Sequence, residues 1–431
     1  MSKTGTSAST RRCASSTSII CSPRGRWNVV AMPFMLDGSR HSPVRQIVKS
    51  VLFLLSPLLA TAALAQPFVS PAEITSVLER SPFSTRAAAA MSLARDGNGF
   101  VAAWSAGAAP SRIYAARLNA SLKPIGSIRE FEPLLGAAYD ANYPDIAPID
   151  GGYAIVWLER ERIMQPRAAN VVLRRLSASF EPSPAMSLGP VRDAGLARIV
   201  GGNADALTVL VQGNVVTIDR FGGSTLAPIN DWDVEDAVTR GAPIAVTTRQ
   251  FAPPPPFFTG GSVGSWNLKM QFDRSTFNGS STNEVSGPAI GFGGGTYVVA
   301  WLDNVAKIAG QVNAVRIDTA GRLLDLFFRP LSLGSFAGNV RDTRPSIAWD
   351  GERFLIAWQS ARDIAGATLT PDGHVQTFTL VATAADERDP IVVGVILGRF
   401  ALAYEVRVDE QHRQLNFRYV DFKAFRQRPS R

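Results

Sequence analysis

A segment that ends in tryptophan recurs along this chain, and it constrains the possible fold more than any other feature of the sequence. Each copy consists of a Gly/Asp turn followed by alternating aromatic and aliphatic residues. The clearest copies end at Trp104, Trp157, Trp301 and Trp358, a weaker copy ends at Tyr404, and two degenerate copies end at Val211 and lie around Val246. The sequence therefore contains seven units of about 50 residues each, which is typical of repeat architectures.

A second series of segments supports this count. Each member is a strand-like run that follows one of the tryptophan-ended segments and ends in a polar turn. The members centre on Leu118, Leu176, Ile218, Phe272, Ile317, Leu369 and Tyr419. Alternation of apolar and polar residues between Asp-Gly or Gly-Gly pairs is typical of antiparallel strands joined by tight hairpins. Each unit can hold four strands, which we name A to D in chain order, with strand B ending at the tryptophan.

Four-stranded units at this spacing are typical of propeller blades, whereas a β-sandwich domain needs about 100 residues. We predict an all-β fold, a seven-bladed β-propeller of four-stranded antiparallel blades, with six or eight blades as the alternative. The segments from Trp301 to Gly321 and from Trp358 to Gly373 resemble the blade pattern DG-x-x-(F/Y)-L-V-x-W … G-x-(R/L)-(L/I/V)-x-x-x-G of secreted bacterial β-propeller repeat proteins. This resemblance covers about residues 90–431. It implies a fold but little chemistry, because propellers host enzymes and pure scaffolds alike.

Positive charge is concentrated ahead of the repeats. The formal net charge is +8, but residues 1–65 hold eight basic groups and one acid, which leaves 36 basic (44 − 8) and 35 acidic (36 − 1) residues in 66–431. A nearly neutral folded part gives little attraction for a polyanion, so we expect no nucleic-acid partner.

The N-terminal segment predicts export. Arg40, Arg45 and Lys49 precede an apolar run that ends at Ala63-Leu64-Ala65, which is typical of a bacterial signal peptide cut after Ala65. The run is shorter than the roughly 20 residues of a membrane span, so we expect no span after cleavage. We predict that residues 1–34 are a disordered leader or a gene-model extension, that 35–65 are the signal peptide, and that 66–431 are one propeller domain in the periplasm or secreted.

Few residues could bind a metal or cofactor, and we expect neither. Both cysteines lie within residues 1–34, and after residue 65 only His374 and His412 remain, in different units. We expect the aromatic residues that end strand B to form the blade core rather than a ligand platform, because they recur once per unit. These residues are Trp104, Trp157, Trp301, Trp358 and Tyr404.

Charged residues concentrate on one side of the predicted propeller. The A–B and C–D hairpins are short and lie on one face, while the longer B–C and D–A connections lie on the other, which we call the B–C/D–A face. Loops on a rigid scaffold are where binding residues concentrate. The candidate binding residues there are Glu159, Arg160, Asp303, Arg362, Asp363, Glu405, His412, Phe257 and Phe258. The two phenylalanines follow four consecutive prolines, which predict a stiff projecting loop.

Two functions remain open from the sequence. The first is an exported, non-enzymatic binding or scaffolding propeller, expected to be monomeric, that recognises a protein or a glycan through the B–C/D–A face. The alternative is a polysaccharide hydrolase or lyase with paired carboxylates on that face, which would need two carboxyl groups roughly 5–10 Å apart. We also predict that residues 74–78 pair with the C-terminal blade as its outermost strand, because the chain after Asp421 makes a poor strand.

Overall fold

A computed structural model describes the chain in segments, and every structural statement below refers to them. They are residues 75–76, 81–82, 91–107, 110–162, 168–192, 197–202, 205–211, 214–219, 223–228, 233–239, 244–251, 266–272, 275–281, 284–304, 309–325, 330–337, 344–407 and 412–422. All belong to one compact unit, Leu64–Arg431. The predicted leader and signal peptide, together with Phe257 and Phe258, lie outside the described residues.

The described residues form strands, and none of them is in a helix. Two short strands come first, β1 (Thr75–Ser76) and β2 (Ser81–Pro82). Sheet 1 consists of β3 (Met91–Asp96), β4 (Gly99–Ala106), β5 (Arg112–Leu118) and β6 (Pro124–Phe131). Sheet 2 consists of β7 (Tyr139–Ile149), β8 (Gly152–Glu161), β9 (Ala168–Ser177) and β10 (Met186–Arg192). Sheet 3 consists of β11 (Ala197–Gly202), β12 (Ala206–Val211), β13 (Asn214–Asp219) and β14 (Ser224–Pro228).

The second half of the chain repeats this arrangement. Sheet 4 consists of β15 (Asp233–Thr239), β16 (Ile244–Phe251), β17 (Trp266–Phe272) and β18 (Ser275–Ser281). Sheet 5 consists of β19 (Glu284–Gly293), β20 (Thr296–Asn304), β21 (Ala309–Asp318) and β22 (Leu331–Ala337). Sheet 6 consists of β23 (Ser346–Trp349), β24 (Phe354–Ser360), β25 (Asp363–Leu369) and β26 (Val375–Val381). Sheet 7 consists of β27 (Asp386–Ile396), β28 (Arg399–Arg407) and β29 (His412–Asp421), extended by β1 and β2.

The all-β prediction is confirmed, and so is the prediction of four-stranded antiparallel sheets. In sheets 1 to 6 the strands pair in chain order, A to D, and every pair is antiparallel. Strand A of each sheet contacts strand A of the next, and strand A of sheet 7 contacts strand A of sheet 1. The A strands therefore form a closed inner ring, as in a β-propeller.

The core lies between consecutive sheets, and strand B supplies most of it. In β4, Val101 and Ala103 pack against sheet 2, while the alternate residues Ala102 and Trp104 pack against sheet 7. Side chains alternate between the two faces of a strand, so a strand with a sheet on each side must be apolar throughout. Trp104, Trp157, Trp301, Trp358 and Tyr404 are all at most 2% exposed.

The closing sheet is built from both ends of the chain. Thr75 pairs with Phe417 and Ser76 with Asn416, so the predicted pairing of the N-terminal segment with the last blade is confirmed. Ser81 and Pro82 also pair with β29, which extends the contact beyond the predicted segment. Sheet 7 also packs against sheet 1, where Phe417 and Ala403 share a core cluster with Met91 and Leu93.

The C–D turns of sheets 1 and 2 each bend at an apolar residue. Leu122 and Phe180 have positive φ values of 61° and 68°, where sheets 5 and 6 use Gly321 and Gly373. A non-glycine residue in this region costs roughly 1–3 kcal/mol. Burial offsets the cost, because Leu122 and Phe180 are only 1% and 5% exposed and pack against the preceding sheet of the ring.

Candidate functional site

Strand A carries the same irregularity in three sheets. The strand A–strand B register breaks at an X-Pro pair in each: Tyr143-Pro144 in β7, Gly287-Pro288 in β19 and Asp389-Pro390 in β27. Proline has no N–H to donate to the ladder, which explains why the pairing breaks there. The residue before each proline has a positive φ, of 55°, 55° and 49° in chain order. In sheet 6 the equivalent pair, Arg344-Pro345, comes directly before β23.

These pairs present a different side chain at one position of the repeat. We call Tyr143, Gly287, Arg344 and Asp389 the pre-proline positions. The four prolines are buried, whereas Tyr143, Arg344 and Asp389 are partly exposed near the start of strand A, towards the B–C/D–A face. A β-bulge commonly re-aims a side chain beside a functional site. The bulge therefore positions two chemically distinct side chains, Tyr143 and Asp389, at equivalent points of the ring.

One pre-proline position contacts a residue that the sequence singled out. The guanidinium carbon of Arg160 lies 5.1 Å from the centre of the Tyr143 ring, within the range of a cation–π interaction. Arg160 lies near the end of strand B of sheet 2, and Tyr143 lies on strand A of the same sheet. The predicted candidate Arg160 is thus part of the surface around the bulge.

Below the bulge of sheet 2, Asp145 joins three neighbouring A strands. Its Oδ1 accepts hydrogen bonds from Ser92 Oγ of sheet 1 (2.8 Å) and from Arg198 Nη1 of sheet 3 (3.0 Å), and its Oδ2 accepts one from the backbone N–H of Ile199 (2.8 Å). Asp145 is 8% exposed. Charge-assisted hydrogen bonds in a buried site are strong. This carboxylate links three strands of the inner ring next to the candidate face.

The structure buries Glu159, which the sequence places among the exposed residues of the B–C connection. Glu159 is two residues after Trp157 in strand B, so both side chains lie on the same buried face of the sheet. Its carboxylate accepts hydrogen bonds from the backbone N–H groups of Leu134 (2.6 Å) and Leu135 (2.9 Å) and from Trp157 Nε1 (2.9 Å). It therefore positions the D–A connection between sheets 1 and 2, and does not itself reach the surface.

Glu405 is buried in the same way. Its side chain is 0% exposed and its Oε2 accepts a hydrogen bond from Arg413 Nη1 (2.7 Å). A second buried carboxylate, Glu387, accepts a hydrogen bond from Thr383 Oγ1. Glu387 lies opposite Val406, so it shares a face of sheet 7 with Tyr404, whereas Glu405 lies on the other face. Burial, the largest cause, raises the pKa of Tyr404, and the charge of Glu387 adds to this rise.

The remaining predicted residues lie in separate places. Arg362 is exposed on the B–C hairpin of sheet 6, where its Nη2 donates to Ala384 O (3.3 Å) and its carbonyl accepts from the N–H of Glu387 (2.8 Å). Asp363 begins β25 and is half-buried. Asp303, in sheet 5, accepts a hydrogen bond from Asn313 Nδ2 (3.3 Å).

Three predicted residues are described incompletely or not at all. His412 begins β29, opposite Pro82, and its side chain is outside the described set. Phe257 and Phe258 fall between β16 and β17, which is the B–C connection of sheet 4, as predicted from the order of the repeats.

A signal for the pre-proline positions is present in the sequence, outside the two series of repeated segments. Pro144, Pro288 and Pro345 each lie 13 residues before the tryptophan that ends the following strand B (157 − 144, 301 − 288 and 358 − 345). Proline inside a strand pattern is expected at edges and bulges. A constant spacing from proline to tryptophan would therefore have located the irregular part of the inner strands.

The described residues contain no group of three or more His, Cys, Asp or Glu side chains that could hold a metal ion. No helix long and apolar enough to cross a membrane occurs in this part of the chain.

Comparison with known proteins gives similarity at the level of solved structures. No protein-family model and no curated protein matches the sequence. Trypanosoma rangeli sialidase matches with a TM-score of 0.43 and 9% identity, over 81% of this chain and 59% of that one, so the chain spans about three fifths of its length. A Dyadobacter fermentans protein of unknown function matches with a TM-score of 0.47 and 10% identity, over 81% of this chain and 99% of that one.

A third similar structure is the hemagglutinin-neuraminidase of parainfluenza virus 5, with a TM-score of 0.42 and 7% identity, over 83% of this chain and 95% of that one. At TM-scores below 0.5 these similarities carry no argument about function. The architecture follows from this chain's own strand pairing.

Proposed function

We propose that the protein is an exported binding propeller without catalytic activity, which recognises a glycan or a protein through its B–C/D–A face. The observation that carries this proposal is the series of pre-proline positions. Tyr143, Arg344 and Asp389 occupy one position of the repeat, are partly exposed, and differ in chemistry. A repeat scaffold that varies one position from unit to unit builds a composite binding surface in this way.

Backbone strain at two of these positions supports the proposal. Tyr143 and Asp389 adopt φ values of 55° and 49°, which cost a non-glycine residue roughly 1–3 kcal/mol each. Sheet 5 has Gly287 at the same position with the same conformation and no side chain. At Tyr143 the contact with the Arg160 guanidinium offsets part of this cost, and we propose that a bound ligand contacts both strained side chains.

The competing hypothesis of a polysaccharide hydrolase or lyase receives less support from the described carboxylates. Glu387 and Glu405 are neighbours in sheet 7, but they lie on opposite faces of the sheet and cannot act together on one bond. Glu159 accepts three hydrogen bonds from its own surroundings, and Asp145 also accepts three. These contacts support a positioning role for Glu159 and Asp145 rather than acid/base work.

We further propose that the mature protein is a monomer in the periplasm or outside the cell after cleavage following Ala65. Its nearly balanced charge in residues 66–431 favours a neutral or mixed-charge ligand over a polyanion.

A glycan array and a panel of candidate proteins, probed with matched variants, test the proposal. The first variant combines Tyr143→Ala, Arg344→Gln and Asp389→Asn. The control combines Asp372→Asn with Arg322→Gln, whose exposed side chains lie in C–D turns on the opposite face. We expect the first variant to lose binding and the control to keep it.

Two results would count against this function. Equal binding by the wild type and the first variant would show that the B–C/D–A face does not recognise the ligand. Release of reducing ends from a polysaccharide panel by the wild type would favour the hydrolase hypothesis instead.

A further inference from the structure

A cavity lies between sheets 1 and 2, on the side of the C–D turns and therefore away from the B–C/D–A face. Its volume is about 210 Å³. The residues that line it are Arg117, Ile125, Gly126, Ser127, Arg129, Ser179 and Phe180. Two guanidinium groups and two hydroxyl groups thus face one small space, and no residue of the candidate binding face takes part.

The structure fixes the walls of this cavity. Arg129 Nε donates a hydrogen bond to Phe180 O (3.1 Å) across the boundary between the sheets, and Arg117 Nη1 approaches Ala178 O at 3.4 Å. The Arg117 guanidinium carbon also lies 5.8 Å from the centre of the Tyr153 ring. Phe180 itself is held in its strained turn by a backbone hydrogen bond from its N–H to Ser177 O (2.8 Å).

Positive charge around the cavity is only partly neutralised. Asp96 Oδ2 lies 3.9 Å from Arg117 Nη2, and the same oxygen already accepts a 2.6 Å hydrogen bond from the Tyr153 hydroxyl. Arg129 pairs with Glu181, whose side chain is 62% exposed, and an exposed pair of this kind is weak. The cavity therefore keeps an attraction for an added negative charge.

A third arginine lies close by on the facing strand. The Arg174 guanidinium carbon is 5.0 Å from the centre of the Phe131 ring, and Phe131 shares a face of β6 with Arg129, two residues away. Burial lowers the pKa of Arg174.

Two arginine donors at this boundary have no acceptor. The Nε atoms of Arg117 and Arg174 are buried, and neither has a hydrogen-bond partner. A buried donor without an acceptor is unfavourable, and such groups are rare in folded proteins. An anion that accepts hydrogen bonds beside Arg117 would remove part of this cost.

From these contacts we infer that the cavity binds one compact oxyanion group, a carboxylate, sulfate or phosphate, between Arg117 and Arg129. A planar guanidinium matches the paired oxygens of such groups. Ser127 and Ser179 supply hydroxyl donors, and Ile125 and Phe180 supply an apolar wall for the carbon next to the anion. The volume is below the about 300–1,000 Å³ of drug-sized pockets, which suits a single anionic group.

Calorimetric titration of the purified protein with sodium sulfate, against sodium chloride at matched ionic strength, tests this inference. We expect saturable sulfate binding that Arg117→Gln and Arg129→Gln each weaken at least tenfold, as loss of a charge-assisted hydrogen bond implies. Arg129→Lys keeps the charge without the planar fork and should recover only part of the affinity. The control Arg322→Gln removes an equally basic side chain, 81% exposed, from the C–D turn of sheet 5 and should bind like the wild type.

The same titration with phosphate, acetate and a sulfated monosaccharide identifies the source of the anion. Tighter binding of the sulfated sugar, with the same dependence on Arg117 and Arg129, would identify the site as one for a substituted sugar; equal affinities would identify a free-ion site. No sulfate binding by the wild type would overturn the inference, as would equal binding by the folded Arg129→Gln variant. Binding to the B–C/D–A face is measured with other variants, so either proposal can fail without the other.

Discussion

The substitution Glu159→Gln tests whether one buried carboxylate organises the D–A connection between sheets 1 and 2. In the wild type, Oε1 accepts from Leu134 N–H and Trp157 Nε1, and Oε2 accepts from Leu135 N–H. A glutamine amide offers one oxygen and one NH₂ group. Its nitrogen would face an N–H donor, so at least one of these buried donors loses its acceptor.

The cost can be worked out from these contacts. Leaving a buried donor unsatisfied costs about 1–3 kcal/mol, and a hydrogen bond to a charged group is worth roughly 1.5–3 kcal/mol. Removing a fully buried charge offsets part of this loss of stability, because burying the neutral amide costs less desolvation free energy. We therefore expect a net loss of about 2–3 kcal/mol in the free energy of unfolding. For a domain of this size that corresponds to a fall of roughly 3–4 °C in Tm.

Thermal and urea unfolding measure the loss, and hydrogen exchange locates it. The amides of Leu134 and Leu135 should exchange faster in Glu159→Gln, because their acceptor is weakened. The matched control is Glu132→Gln, the same change at a 72% exposed side chain nearby, which should stay within about 0.5 kcal/mol of the wild type. If Glu159→Gln unfolds like this control, the carboxylate does not hold the connection and our explanation of its burial is wrong.

Three further predictions concern the core, the ring closure and one buried hydroxyl. Trp301→Ala and Trp358→Ala should each lower the free energy of unfolding by roughly 3–5 kcal/mol in urea titrations, as buried aromatic truncations do; unchanged stability would mean that they are surface residues. Deleting 66–80 removes the β1 pairing with β29 and should lower Tm and promote aggregation, measured by light scattering; melting like the undeleted protein would show that closure does not need this strand. Burial and the hydrogen bond to Asp96 raise the pKa of Tyr153 to about 12, so the folded state holds its proton longer than the unfolded state. The resulting stability is complete below about pH 10 and is lost between about pH 10 and 12; Tyr153→Phe should abolish this part of the pH dependence, and an unaltered profile would refute the assignment.

The fold was predictable because strand B is apolar on both faces. A run such as that around Val101 and Ala102 must be buried on two sides, and stacked sheets provide this in one repeat after another. The pairing of Thr75 with the last sheet was predictable for a related reason, since the chain after Asp421 could not supply an outer strand.

The candidate site was less predictable, because the burial of its residues depends on strand register and on the pairing between strands. In the sequence, Glu159 resembles one of several charges in a loop. It shares a face with Trp157 because strand B continues past the tryptophan. The bulges at Tyr143 and Asp389 depend on how strand A pairs with strand B, which a single strand does not show. The cavity between Arg117 and Arg129 needs two sheets and the turn at Phe180 to exist at all.

The sheet that takes strands from both ends of the chain has a consequence for how the protein is made. Thr75 and its partner Phe417 are 342 residues apart in sequence (417 − 75). At a synthesis rate of about 5–20 residues per second, the first strand exists for roughly 17–70 seconds before its partner has been made. Thr75 and Ser76 must remain available through that interval, while six complete sheets can already form behind them. The ring therefore closes last, at the sheet that contains its first strand. A chain whose synthesis stops before residue 417 leaves the ring open, with exposed strand edges that can pair with another copy.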